Sequence, residues 1–207
     1  VLFWSLAFVM LKIAVATVPP ASAAFSRLLV AAVMLWAIMR LMGQRLSWNP
    51  THWRYFLLLG FIANALPFLL VLHGMRHIDS GLGAILMGAM PVVTVVLAHF
   101  FSDGSERLTP RKTIGVGIGF AALLLLIGPA ALEGLGRHVF AELSVIGGAI
   151  CFAVAAVVTR RAPELPICTL SAGVMITATL CALPIALISD WPFSISPDPK
   201  ALWALLW

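Results

Sequence analysis

The chain has 207 residues, of which 62% are hydrophobic and only 10% charged, with a formal charge of +5. A soluble domain carries about 25% charged residues, so this composition excludes a water-soluble fold and points to a membrane protein with many spans. The positive balance does not argue for nucleic acid, because no arginine-rich arm or aromatic-basic platform is present and Lys and Arg gather in the cytoplasmic loops of membrane proteins.

A membrane-spanning helix needs roughly 20 mostly apolar residues. Seven runs of about this length occur, at 1–18, 21–39, 55–72, 80–101, 113–132, 143–159 and 167–189, and an eighth begins near Ala201. In lipid each segment must satisfy its own backbone, so the runs are expected to be helices. Barrel strands would be shorter and would alternate. The expected fold is an all-α polytopic bundle. The chain opens on Val1 and closes on the apolar ALWALLW, so both ends are expected to be truncated. The first run lacks the basic start and cleavage site of a signal peptide.

The first run carries Lys12, with Trp4 and Phe8 nearer its start, and the second, after Pro19-Pro20, carries Arg27. These two are the charged residues well inside a span, and an intramembrane ionisable group is a functional candidate. Each lies six residues from the same end of its helix, which places both roughly 9 Å below one boundary at about 1.5 Å per residue. Two cations at one depth make a pocket for an anionic group such as a substrate carboxylate. The competing reading is that both snorkel to the interface. Trp4 either lines the cavity or belongs to the interfacial aromatic belt.

Asn64, Pro67 and Phe68 interrupt the third run. Pro67 removes a backbone hydrogen bond and kinks a helix. Carbonyls freed toward a cavity bind polar groups, and Asn64 adds a donor and an acceptor. The alternative is a packing kink with Asn64 bonded to a neighbouring helix.

The stretch LHGMRHIDSGLGAILMGAMP, residues 72–91, links the third and fourth runs. His73, His77 and Asp79 resemble a metal cluster that would have to recruit Glu133, His138 or Glu142. Gly74, however, is a helix stop that would separate the two imidazoles, and Ser80 or Asp79 caps the next helix. A solvated hairpin with no bound metal is therefore expected. In the fourth run Pro91 marks a second kink. His99 near its end either couples protons or sits at the interface. Ala84/Gly88 and Gly115/Gly119 have the four-residue spacing of close helix contacts. GVGIG lies inside a span and follows no strand, so it is no nucleotide loop. Cys151, Cys168 and Cys181 form no CxxC pair or zinc spacing and read as small buried hydrophobes.

With the amino end inside, the inner loops hold Arg40, Arg45, Arg54, Arg107, Arg111, Lys112, Arg160 and Arg161, and the outer loops hold Arg76, Arg137 and Lys200. That bias predicts a cytoplasmic amino end. A faint internal echo relates Trp4 and Lys12 to Phe152 and Arg160, each pair eight residues apart and each followed by a proline-marked turn. The second copy begins five helices after the first, so it is inverted, an arrangement many secondary transporters use.

The order of these signals resembles the EamA-like branch of the drug/metabolite transporter superfamily. The carrying segments are FWSLAFVMLKIA, FSRLLVAAVMLW, NALPFLL, SGLGAILMGAMPVVTVVLAHF and ERLTPRKTIGVGIGFAALLLLIGP, across residues 3–130. The resemblance implies ten helices in two five-helix inverted repeats. Residues 1–132 form the first repeat, and 143–207 the truncated start of the second. It also implies a secondary transporter of small organic metabolites such as amino acids or drugs, working by alternating access in the cell (inner) membrane, with no enzymatic role and no cofactor. The expected substrate-binding residues are Lys12, Arg27, Asn64, Phe68 and Trp4, with Pro67 and Pro91 as helix kinks. The expected partners are the lipid bilayer, a small-molecule substrate and a second copy of the chain. The alternatives are an integral membrane enzyme with an outer-face His/Asp metal site, and a non-transporting membrane subunit.

Overall fold

The computed structural model describes residues 9, 10, 12, 13, 16, 18–88, 90–101, 109–127 and 135–189. Every regular element among them is helical. After helical residues at Val9, Met10, Lys12, Ile13 and Ala16 come α1 (Pro20–Leu41), α2 (Pro50–Gly60), a π-helical turn (Phe61–Ala65), α3 (Leu66–Met75), α4 (Ser80–Met87), α5 (Met90–Phe101), α6 (Pro110–Ile127), α7 (Val139–Thr159) and α8 (Ile167–Ser189). The segments Pro20–Leu41, Pro50–Met75, Ser80–Leu97, Val139–Thr159 and Ile167–Ser189 are long and apolar enough to cross a membrane. The protein is a multi-pass helical bundle. The expected eighth span and most of the first fall outside the described residues.

Local chemistry sets the helix ends. Pro20, Pro50 and Pro110 open α1, α2 and α6, at a position where the missing N–H costs nothing. Asn49 caps α2 by accepting the Thr51 N–H at 2.9 Å. Gly43, at φ 71°, ends α1, with the Gln44 N–H on the Met39 carbonyl at 3.0 Å, as left-handed helix caps do.

The third span starts five residues before the expected 55, because Asn49-Pro50 is a helix start and not a loop. Its interruption lies one turn ahead of Pro67. The Leu66 N–H reaches the Phe61 carbonyl in an i→i+5 bond. Pro67 has no N–H and its ring crowds the carbonyl behind it, and a widened turn relieves both. The fourth span is two helices. α4 closes at Gly88, and α5 opens at Met90 with Pro91 second.

α8 packs along α1 and α2, and α7 packs along α3 and α5, while α6 leans on α4 and α5. Small residues make these contacts close. A side chain at Gly60 would strike Thr177 Oγ1 and lie 2.8 Å from both the Ala178 nitrogen and the Val174 carbonyl oxygen. One at Gly148 would meet the Pro67 carbonyl at 3.3 Å. Helices in lipid gain from such close approach because no hydrophobic effect drives them together. The expected stripe at Gly115 and Gly119 is different, since nothing described lies within 4 Å of either position. Both are exposed among the described residues, and glycines in close contact include Gly60, Gly74, Gly83, Gly148 and Gly173. Thr177 ties α8 to α2 by donating to the Phe56 carbonyl at 2.5 Å.

Candidate functional site

Arg27 lies on α1 where that helix faces α3 and α8. It is half-buried, and its guanidinium carbon stands 5.7 Å from the centre of the Phe68 ring. Phe68 is in turn edge-on to Phe152 of α7, with centroids 6.1 Å apart and planes at 87°. Leu28, Ala65, Ala178 and Ala182 are buried beside these residues, with Phe25, Met175 and Cys181 packed against them. A cation over an aromatic face gains about 0.5–2 kcal/mol. That does not replace water on the guanidinium nitrogens. Arg27 Nη1 is buried and has no hydrogen-bond partner among the described residues. A charged donor left in this condition carries the full desolvation penalty of its N–H, which an anionic ligand group would relieve.

Asn64 sits on the π-helical turn, four residues before Phe68, and is 8% exposed. Pro67 is buried between the two. The π-helical turn packs against α1, and Phe68, four residues beyond Asn64, meets Arg27.

Lys12 does not join Arg27 as a second unpaired cation, as the sequence reading expected. Its Nζ donates to the Ile78 carbonyl at 2.6 Å and to the Met75 carbonyl at 3.0 Å. The physical reason is the end of α3. Its last carbonyls have no i+4 partner and carry the negative end of the helix dipole. Lys12 serves as a long-range cap that holds the first span against the α3–α4 hairpin. Trp4 and Phe8 lie outside the described residues, as does the side chain of His99.

At the same end of the bundle the hairpin departs from expectation. The helix does not stop at Gly74. It continues to Met75, and Gly74 is instead a contact point with α7, where a side chain would lie 2.6 Å from the Ala141 carbonyl. The helix still ends between His73 and His77, as expected, yet the two rings are neighbours. Their ring centres are 5.5 Å apart, and His77 Nδ1 is 3.2 Å from the His73 carbonyl. His138 comes to 6.3 Å from His77. These rings, with Arg137, line an open cleft of about 320 Å³. Among the described residues no three His, Cys, Asp or Glu side chains are arranged to hold a metal ion. Glu142 is turned away from such a role, because its Oε1 accepts the Gly136 N–H at 2.7 Å. Glu133 lies outside the described residues. Asp79 occupies the cap position of α4 by its backbone alone, without a side-chain hydrogen bond.

Two structural roles had escaped the sequence reading. Glu142 is a buried residue in the first turn of α7, not a loop acid. Its signal was the glycine before a helix start, with an acid in the turn that follows. Thr177 bridges helices from inside an apolar run, where a lone threonine gives no signal of its partner.

The family model of the EamA-like transporter family matches residues 1–128. The "Uncharacterized transporter YoaV" of Bacillus subtilis is 25% identical over 206 residues, covering 99% of this chain and 70% of that protein. The "Uncharacterized transporter YyaM" of the same organism is 26% identical over 196 residues, covering 91% and 62%. "Protein PagO" of Salmonella typhimurium is 29% identical over 122 residues, covering 59% and 40%. A solved crystal structure superposes with a TM-score of 0.71 at 20% identity, over 98% of this chain and 72% of that one, which establishes a shared fold.

Proposed function

The chain belongs to the EamA-like transporter family, and from that premise we propose that the full-length protein is a secondary transporter of small organic metabolites, carrying those with an anionic group. The observation that carries this reading is Arg27 Nη1, a buried charged donor with no described partner. The substrate's carboxylate or other anionic group takes that place. Phe68 holds the guanidinium from the opposite side, and Asn64 offers a neutral amide to the rest of the ligand. No catalytic group is needed, because the substrate leaves chemically unchanged.

Alternating access is the proposed mechanism. Its support is an interruption in each of two neighbouring spans, at Phe61–Ala65 and at Gly88 before Met90. Discontinuous helices of this kind place free backbone groups near a mid-membrane site. The proposed frame is the inverted repeat of 1–132 and 143–207. In that frame α1 and α8 are equivalent helices, and they pack directly against each other, as a pair astride a two-fold axis must. The α1–α2 and α7–α8 connections lie together at one end, joined by the Thr169 hydroxyl on Gln44 Oε1 at 3.2 Å. That end carries Arg45, Arg160 and Arg161. Positive loops stay inside, so we assign it to the cytoplasm of a cell membrane, with the amino end on the same side.

The test is reconstitution of the full-length protein in liposomes with a labelled panel of anionic, zwitterionic and cationic metabolites. The expected result is counterflow of at least one compound bearing a carboxylate. Counterflow confined to cations, or none across the panel, would overturn the reading.

A further inference from the structure

Two clefts meet at the basic end of the bundle, away from Arg27. One, of about 300 Å³, opens between α2 and α7 and is lined by Arg54, Tyr55, Leu58, Val158 and Arg161. The other, of about 280 Å³, is lined by Leu97, Val154, Val157, Val158 and Arg161. They share Val158 and Arg161, so they adjoin, and together they make a groove with two characters. The first part presents two guanidinium groups and a phenol among its described lining residues. The second is apolar apart from Arg161, and runs from the end of α7 to Val154. Five residues separate Val154 from Thr159, so the apolar part extends about 7.5 Å into the span.

We propose that this groove seats one anionic phospholipid, with its phosphate between Arg54 and Arg161 and an acyl chain along Val154, Val157 and Leu97. Three arguments lead there. A groove that is cationic at the boundary and apolar below it is complementary only to an amphiphile oriented as bilayer lipids are. Arginine forks pair with phosphate oxygens through two parallel hydrogen bonds, and basic pockets between spans on the cytoplasmic side suit anionic headgroups. Tyr55 lines the cationic part, and an amphipathic ring of this kind is favoured at a membrane boundary.

The two arginines are not equivalent. Arg54 follows the first turn of α2, whose N-terminal end adds positive potential. Arg161 follows the C-terminus of α7, with its N–H on the Val158 carbonyl at 2.9 Å, and it has a further contact of its own. Arg54 is therefore the main phosphate ligand, and Arg161 closes the far side of the groove.

The experiment titrates delipidated full-length protein in detergent with phosphatidylglycerol, phosphatidylcholine and free glycerol phosphate, reading native mass spectra and melting temperature. The expected result is one retained phosphatidylglycerol per chain and a rise in melting temperature, with neither phosphatidylcholine nor glycerol phosphate giving both. Arg54→Gln should weaken phosphatidylglycerol at least tenfold, and Arg161→Gln less. Val157→Trp, which fills the apolar part and leaves both charges, should also expel the lipid. Equal retention of phosphatidylcholine overturns the proposal, as does an effect of glycerol phosphate equal to that of the lipid. So does full affinity in well-folded Arg54→Gln and Val157→Trp proteins.

Discussion

Arg27 and Phe68 form a cation–aromatic pair across two spans, with the guanidinium carbon 5.7 Å from the ring centre and Nη1 left without a hydrogen-bond partner among the described residues. The pair fixes the arginine against α3 without satisfying it. Lys12 shows the contrast. It lies in the neighbouring span and is bonded to two backbone carbonyls, so its charge is already used.

That contrast predicts opposite phenotypes. Lys12→Met removes the bonds to Met75 and Ile78 and leaves one carbonyl at the end of α3 and one in the turn that follows without their cation. Hydrogen bonds to charged groups contribute about 1.5–3 kcal/mol each, so the melting temperature should fall by several degrees. The KM for an anionic substrate should stay within about twofold. Thermal denaturation of purified variants and proteoliposome uptake check both halves. A large KM increase with an unchanged melting temperature would return Lys12 to the binding site.

Glycine contacts predict a second contrast. Gly60→Ala forces a methyl group against Thr177 and the α8 backbone, and overpacking of this kind typically costs about 1–3 kcal/mol. Gly115→Ala adds a methyl where nothing described lies within 4 Å. There the gain in helix propensity, roughly 1 kcal/mol at most, is the only local effect. Melting temperatures of the two variants in one detergent should fall and hold, respectively.

The histidine group beside the α3–α4 hairpin predicts an elemental analysis. The rings of His73, His77 and His138 are neighbours, yet no described set of three ligands is arranged for a metal. Purified protein should contain no stoichiometric zinc or iron. Stoichiometric metal that disappears in His73→Ala would revive the membrane-enzyme alternative.

Orientation is open to chemical labelling. Single cysteines at Gln44 and at Arg137, in a background without Cys151, Cys168 and Cys181, should react with a membrane-impermeant maleimide from opposite sides. Gln44 should be protected in intact cells and Arg137 should react. The reverse pattern would invert the proposed topology.

The membrane class was legible in composition alone, because no arrangement of a chain this apolar hides its surface from water. The expected run 167–189 coincides with α8, Ile167–Ser189, where polar residues flank both ends. The third span was cut short because PTHWR is polar, although Asn49-Pro50 already carried a cap and a first-turn proline. In the fourth run the expected kink at Pro91 lies just behind the observed break, at Gly88 before Met90, because a proline at the second position opens a new helix. Arg27 stood out because a charge in an apolar run has no local explanation. The partner of Lys12 did not, because Met75 and Ile78 lie 63 and 66 residues away in the chain. Spacing marked Gly115 and Gly119 and passed over Gly60 and Gly148, and only the packing tells which glycines meet a neighbour.

Arg27→Met tests the central claim most directly, because it separates binding from folding. The substitution keeps an unbranched side chain beside Phe68 and removes a buried charge whose Nη1 is unmatched among the described residues. Counterflow of an anionic metabolite by the full-length protein and its melting temperature are measured together. The account predicts a loss of at least about tenfold in kcat/KM, equivalent to about 1.4 kcal/mol, with a melting temperature equal to or above that of the unaltered protein. Undiminished counterflow by Arg27→Met, or lost counterflow explained by a lowered melting temperature, would contradict it.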